Sequence, residues 1–489
     1  MNTNRLSASF ISAHSFFYTL LGSITVVLLC AVVFTDGTAG NGDSLCHYLI
    51  ARGAAKNQAL FFDHWGKPLY TLLSFPFAQL GFTAVKCYNV LAMSIACAAA
   101  YHTAYIAGIK RAWLTVLFFF FASEVIEVTP SAFTEPTFAL VLAVAILLIS
   151  SNRLKAGLII LSFLPFARTE GLFILPLAAV FLYSANRMRL WPWLLTGHVV
   201  ISLMGYPYHD SILWVFTENP YARTELLEGE RHWHYFPVRM YYLIGPVSCF
   251  VLSTGILHTI FKYLKSKKSA QLHLSFWLVC GSFLVVFMAH SIFWTFGMFG
   301  SIGLTRVIMG TMPCIAILCV AGFNVVSYPL YKLQSKATEY VTESVLFISL
   351  FYFTFLYTPT AADLKSDFTL NEGQRFMAHQ LSPYIKEKYT DDAFYFSDPA
   401  LSHFLNQNLY DSTAFQLFYK KPDYRLKANE VIVWDEYWSF TLHSMSLDTL
   451  LAKPYLKLDT CFIHSLSNNF TMKYCVFVAR EDSVSTFHK

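Results

Sequence analysis

Ile24-Thr25-Val26-Val27-Leu28-Leu29-Cys30-Ala31-Val32-Val33 carries no charge, and runs like it recur at Ala139 to Ile149 and Leu172 to Leu182. Of the 489 residues, 55% are hydrophobic and only 13% are charged, against about 25% charged in globular chains. Lipid accounts for the deficit most simply. The apolar stretch around the first run, about 16–34, is too long for the apolar core of a secretion signal, and neither Cys30 within it nor Thr35-Asp36 after it makes an Ala-x-Ala pattern, so it is expected to stay as a span.

Outward from that run, about eleven spans are expected, near 16–34, 84–107, 112–123, 136–151, 155–167, 171–184, 190–206, 240–261, 272–296, 306–328 and 342–359. Those near 112, 155 and 171 are short. Basic residues fall in every second connection: Lys110-Arg111, Arg153 with Lys155, Arg187 with Arg189, Lys262 to Lys268, and Lys332 with Lys336. The positive-inside rule makes these connections cytoplasmic. Every acid before Glu339 lies in the opposite set, including Asp36, Asp43, Asp63, Glu124, Glu127, Glu135, Glu170 and Asp210. One face is therefore rich in carboxylates, and chemistry is expected there. Two loops on that face are long, at about 35–83 and 207–239.

An odd number of spans puts the C-terminus on that same, non-cytoplasmic side. Residues 1–360 thus read as a membrane domain and 361–489 as a small soluble α/β domain. In the latter, Phe394 to Phe396, Val431 to Trp434 and Tyr474 to Val478 read as strands, while Asn371 to Lys388 and Leu447 to Lys453 read as helices. Tyr455 to His464 and Thr471 to Val478 flank the turn signal Ser467-Asn468-Asn469. A hairpin closed there sets Cys461 opposite Cys475, within disulfide reach. The net charge of +5 is small and scattered, so nucleic acid is not an expected partner. No CxxC pair or His-carboxylate cluster calls for a metal, and no cofactor is expected.

Asp43 follows the first span in Asn41-Gly42-Asp43-Ser44, a sequence that alone reads as a turn. Downstream stand His47-Tyr48, Ala51-Arg52 and His64-Trp65-Gly66-Lys67-Pro68-Leu69, then an apolar segment too short and proline-rich to span, which suits an interfacial helix ending at Gly81. This order resembles the first external loop of the GT-C superfamily of membrane glycosyltransferases. It is most similar to the branch of protein O-mannosyltransferases and lipid A aminoarabinose transferases. That branch often shows Asp-Glu and Lys-Pro-Pro, where this chain has Asp43-Ser44 and a single Pro68. Thr134-Glu135-Pro136, Arg168-Thr169-Glu170-Gly171 and Thr305-Arg306 with Pro313 agree with it in order and side. The likeness covers roughly residues 10–330.

The resemblance implies a polytopic α-helical fold and a polyprenyl-phosphate sugar donor. Transfer from such a donor needs a base for the acceptor hydroxyl and cations for the leaving phosphate. Asp43 is the expected base and Glu135 a second carboxylate for acceptor or sugar hydroxyls. Lys67, Arg168 and Arg306 are candidate phosphate partners, with His64 and Glu170 completing the candidate substrate-binding set. Simpler roles stand beside these. Lys67 and Arg306 suit interfacial anchors, Arg168 and Glu170 suit a mutual pair, and His64 with Trp65 suits interfacial packing. His209-Asp210, Arg223, Arg231 and His232 suit an ordinary polar loop or a substrate lid. The expected setting is the bacterial inner membrane, with membrane lipids around the spans and a glycolipid, polysaccharide or protein as acceptor. A transporter or lipid flippase also buries Arg and Glu among spans, but such folds usually carry inverted repeats and none is visible. A structural or assembly protein is the third alternative, in which the acidic loop residues would be dispensable.

Overall fold

The structure is a computed structural model that describes residues 3–39, 42–218, 231–299, 301–390, 392–410, 425–467 and 469–480. Six of its helices are long and apolar enough to cross a bilayer: α1 (Thr3–Phe34), with its apolar stretch from His14, α4 (Phe82–Ile106), α13 (Tyr235–Lys265), α14 (Ala270–Phe296), α15 (Thr305–Val326) and α16 (Lys336–Leu356). Shorter elements lie between them: α2 (Gly42–Gly53), α3 (Pro68–Leu80), α5 (Thr115–Phe120), α6 (Ser123–Val128), α7 (Glu135–Ser150), α8 (Leu154–Ser162), α9 (Leu164–Ala167), α10 (Gly171–Ser184), α11 (Thr196–His209) and α12 (Trp214–Thr217). Of the expected segments, six thus recur as helices long enough to cross and those near 136–151, 155–167 and 171–184 as shorter apolar helices, while those near 112–123 and 190–206 are in neither group. Around 112–123 the chain makes a 3-10 turn and the six residues of α5, then breaks before α6. Phe118, Phe119 and Phe120 are buried there to 1% exposure or less, so protein rather than lipid surrounds them. The protein is an integral membrane protein.

Close helix contact requires glycine at one crossing. A Cβ on Gly255 of α13 would strike the carbonyl of Leu318 on α15, and one on Gly322 of α15 would strike that of Val251. Small residues let membrane helices approach backbone to backbone, where dispersion replaces the missing hydrophobic drive. Basic connections also meet in pairs. Arg111 bonds Glu343 at 3.1 Å and Glu339 at 3.5 Å and lies 3.2 Å from the centre of the Tyr331 ring.

Beyond α16 the chain forms α17 (residues 372–388), α18 (Pro399–Leu405), α19 (Trp438–His443), α20 (Leu447–Leu451) and a four-stranded sheet. Strands β1 (Ala393–Phe396), β2 (Glu430–Asp435), β3 (Leu456–Ser465) and β4 (Thr471–Ala479) lie in the order β1-β2-β4-β3. The β1–β2 pair is parallel and the others are antiparallel. Strand β2 is buried throughout, which explains its unbroken Val-Ile-Val-Trp run. Val431 and Val433 pack with α17 and with Leu45, Tyr48, Tyr70 and Phe82 of the first loop and α4. Ile432 and Trp434 face a second layer with Leu450, Leu456 and Phe477. One apolar core therefore joins the sheet to α2, α3 and α4. A backbone bond from Gly37 N–H to Phe368 O at 3.0 Å adds to it, and the Lys86 ammonium donates to Gly37 O at 2.7 Å. Cys461 and Cys475 are register partners and form a disulfide; the Asn468 of the expected turn lies outside the described residues.

Candidate active site

Asp43 lies in the first turn of α2, where a helix N-terminus favours negative charge. Ser44, its neighbour, accepts a bond from the backbone N–H of Ala132 at 2.8 Å. The same 131–134 segment is gripped from two more helices. Tyr70 of α3 donates to Ala132 O at 2.6 Å, and Asn89 of α4 donates to Ser131 O at 2.6 Å and Phe133 O at 2.9 Å. These bonds fix the entry to α7 and hence Glu135, its first residue, with Pro136 next to it. Proline suits a first helical turn because the missing N–H would have no partner there.

Arg306 connects the two carboxylates. It stands in the 3-10 stretch that opens α15, with its guanidinium 4.2 Å from the centre of the Phe133 ring. It donates to Asp43 Oδ2, and through Nε to Glu135 Oε1 at 3.2 Å. Arg168 reaches Glu135 Oε1 from the other side at 2.8 Å. It also donates to Thr134 Oγ1 at 2.9 Å and holds Glu170 Oε1 at 2.8 Å. His290 of α14 meets that same Glu170 oxygen at 3.1 Å. The result is a continuous chain, Asp43–Arg306–Glu135–Arg168–Glu170–His290, built from loops and helices distant in sequence. Arg168 is extended, between α9 and α10. The turn after it brings Gly171 against the Leu164 and Pro165 backbone, where no Cβ fits.

Exposure sorts the members of this chain. The Glu135 side chain is 1% exposed and that of Asp43 is 36% exposed, so solvent reaches Asp43 first. Both bonds from the arginines fall on Glu135 Oε1, and its buried Oε2 has no partner among the described residues. Lys67 sits beside the chain and donates to Thr169 Oγ1 at 2.9 Å. It caps α3 with φ at 64°, a left-handed conformation that non-glycine residues adopt at a cost and often at functional positions. Burial lowers its ammonium to about 7, with Arg168 adding to the fall and Glu170 and Asp63 opposing it.

His64 does not join the chain: its Nε2 bonds Val215 O at 2.9 Å and its ring faces Trp214 edge-on. The pairing of Arg168 with Glu170 does occur, as part of the larger network. His209 bonds Glu218 at 2.7 Å and stacks on Trp214, and Arg231 lies 6.0 Å from the Trp294 ring; Arg223 lies outside the described residues. Sequence reasoning missed His290, Thr169 and Phe133. For His290 a signal existed, since it is the one titratable side chain of the apolar run Val285 to Phe296, and ionisable groups among spans are usually functional.

The helical bundle with its long first loop and small sheet domain has a GT-C-like fold. A crystal structure of ArnT from Cupriavidus metallidurans bound to undecaprenyl phosphate is similar to this chain, with a TM-score of 0.57 and 13% sequence identity over 94% of this chain and 98% of that one. No family model and no curated protein sequence matches.

Proposed function

We propose that the protein is a membrane glycosyltransferase that moves a sugar from a polyprenyl-phosphate donor to an acceptor at the non-cytoplasmic face, with Asp43 as general base. The convergence of Asp43 and Glu135 on Arg306 carries the reading. It gathers an accessible carboxylate, a buried one and a bidentate cation at the end of the bundle where α2, α7 and α15 begin. The fold's likeness to a protein that binds undecaprenyl phosphate supports a lipid-phosphate partner. The soluble domain (361–489) then lies outside the cytoplasm, and the bacterial inner membrane is the natural setting.

In this mechanism the acceptor O–H gives its proton to the Asp43 carboxylate as its oxygen bonds the anomeric carbon. The bond from that carbon to the phosphate oxygen breaks, and its electron pair leaves with the phosphate. Lys67, Arg168 and Arg306 meet the growing charge, arginine through planar two-point contacts. Glu135 Oε2 accepts a hydroxyl of the sugar or acceptor. The test is Asp43→Asn in protein purified with its lipid. Undecaprenyl phosphate should remain bound by native mass spectrometry while transfer is lost, and full transfer activity in this variant would end the assignment. Substrate movement across the bilayer without transfer would mark a carrier instead.

A further inference from the structure

The soluble part has concave space that the chemistry above does not use. Two crevices, of about 480 and about 490 Å³, share Asp398, Trp438 and Met472 in their walls. The first also includes Gly42, the residue before Asp43. The Trp438 indole lies so close to Gly42 that a Cβ there would collide with it. The crevice therefore runs from the sheet domain to the helix end that carries the proposed base.

Strand topology explains why the crevice is polar. Asp398 follows β1 and Asp435 ends β2, so both stand at the carboxyl edge of a parallel pair. Open α/β sheets commonly take ligands at that edge. Asp398 is 4% exposed and Asp435 is 3% exposed. Their bonds are to uncharged donors: Tyr474 O–H at 2.6 Å and Ala400 N–H at 2.8 Å for Asp398, Ser439 O–H at 3.0 Å and Trp438 N–H for Asp435. Among the described residues, no lysine or arginine pairs with either. Burial pushes the Asp398 carboxyl up, and burial together with Asp398 pushes Asp435 up to about 7. Each carboxylate oxygen accepts a protein bond and keeps a further lone pair for a ligand hydroxyl. Tyr437, Trp438 and Phe470 add aromatic faces. Glu436 and Glu372 add acid, against Lys473 alone among basic residues in the two walls. Rings cover the C–H faces of a pyranose while carboxyls bond its hydroxyls, and the acidic surplus repels anions.

We propose that this crevice is the acceptor subsite and takes a neutral or amine-bearing carbohydrate, not a phosphorylated one, holding it over Gly42 with a hydroxyl toward Asp43. The inference rests on the glycosyltransferase reading, and its test separates the two. Full-length protein in nanodiscs would be titrated with the β-1,4-linked glucosamine disaccharide, its N-acetylated form and glucosamine 1-phosphate, and separately with undecaprenyl phosphate. The disaccharides should bind and the phosphorylated sugar should bind at least about tenfold more weakly. Trp438→Ala removes the platform and Thr471→Trp fills the crevice from an exposed strand position. Each should weaken the disaccharides by about tenfold or more while undecaprenyl phosphate changes by less than about twofold. No disaccharide binding, unchanged binding in both variants, or preference for the phosphorylated sugar overturns the proposal. Loss of undecaprenyl phosphate binding by the wild-type protein, with disaccharide binding intact, would instead count against the glycosyltransferase reading.

Discussion

Lys67 offers a test of the proposed donor site that needs no knowledge of the acceptor. Its ammonium is brought to about 7 by burial first and by Arg168 second. A lysine with that value is about nine-tenths charged at pH 6 and about one-tenth charged at pH 8. If only the charged form holds a phosphate, apparent affinity scales with the charged fraction and falls about tenfold over that range. The sign is fixed, since a group that must be protonated to bind loses affinity as pH rises through its pKa. Phosphate's own second ionisation acts the other way, so a reference is needed. Lys67→Arg provides one, because arginine stays charged throughout. Calorimetric titration with farnesyl phosphate, a short soluble analogue, should give a wild-type to variant affinity ratio that drops about tenfold from pH 6 to pH 8. A flat ratio would refute the coupling of phosphate binding to a Lys67 held near neutrality.

Asp43→Asn should lower transfer by about 10²–10⁴-fold with donor affinity unchanged, read by a radiolabelled sugar assay beside lipid-phosphate titration. Arg306→Met leaves Glu135, 1% exposed, with less compensation and should destabilise by up to about 3–5 kcal/mol; adding Glu135→Gln should restore much of the thermal stability without restoring activity. Replacing Cys461 and Cys475 by serine should cost no more than about 2–3 kcal/mol, because the bridged hairpin ends are already close; a urea midpoint measures it, and non-reducing peptide mapping of native protein should find the pair joined. A cysteine probe at Ser266 should resist impermeant reagents in intact cells while one at Ser366 reacts, and labelling at Ser266 would invert the proposed topology.

The membrane fold was legible because lipid imposes a coarse rule. Ile24 to Val33 and its counterparts have too little charge to face water, although Ala139 to Ile149 and Leu172 to Leu182 lie in helices too short to cross unaided. The sheet was legible for a related reason: Val431 to Trp434 is buried on both faces, so its β-branched run is unbroken. The proposed site residues were also within reach, since Asp43, Glu135, Lys67, Arg168 and Arg306 are charged groups where charge is costly. Their wiring was not. Nothing in Thr305-Arg306 says that its guanidinium spans two carboxylates, because that depends on how α2, α7 and α15 pack. His64 illustrates the converse. Its neighbours in sequence placed it with the substrate-binding group, but the turn before α3 aims its ring at Val215 and Trp214. The crevice around Trp438 left no sequence signal, since its walls come from strand ends, a short helix and the first loop at once.

The bridge made by Arg306 also bears on how the chain is born. Glu135 emerges from the ribosome 171 residues before the arginine it bonds, an interval of roughly ten to thirty seconds at ordinary rates of synthesis. Arg168 emerges far sooner, so through that interval it is the early counter-charge for an acid entering lipid. Asp43 waits longer still, 263 residues ahead of the same arginine. A nascent chain stopped before α15 would therefore hold most of its spans and neither finished carboxylate pair. Arg306 is thus the last charge of the Asp43-to-His290 chain to be synthesised.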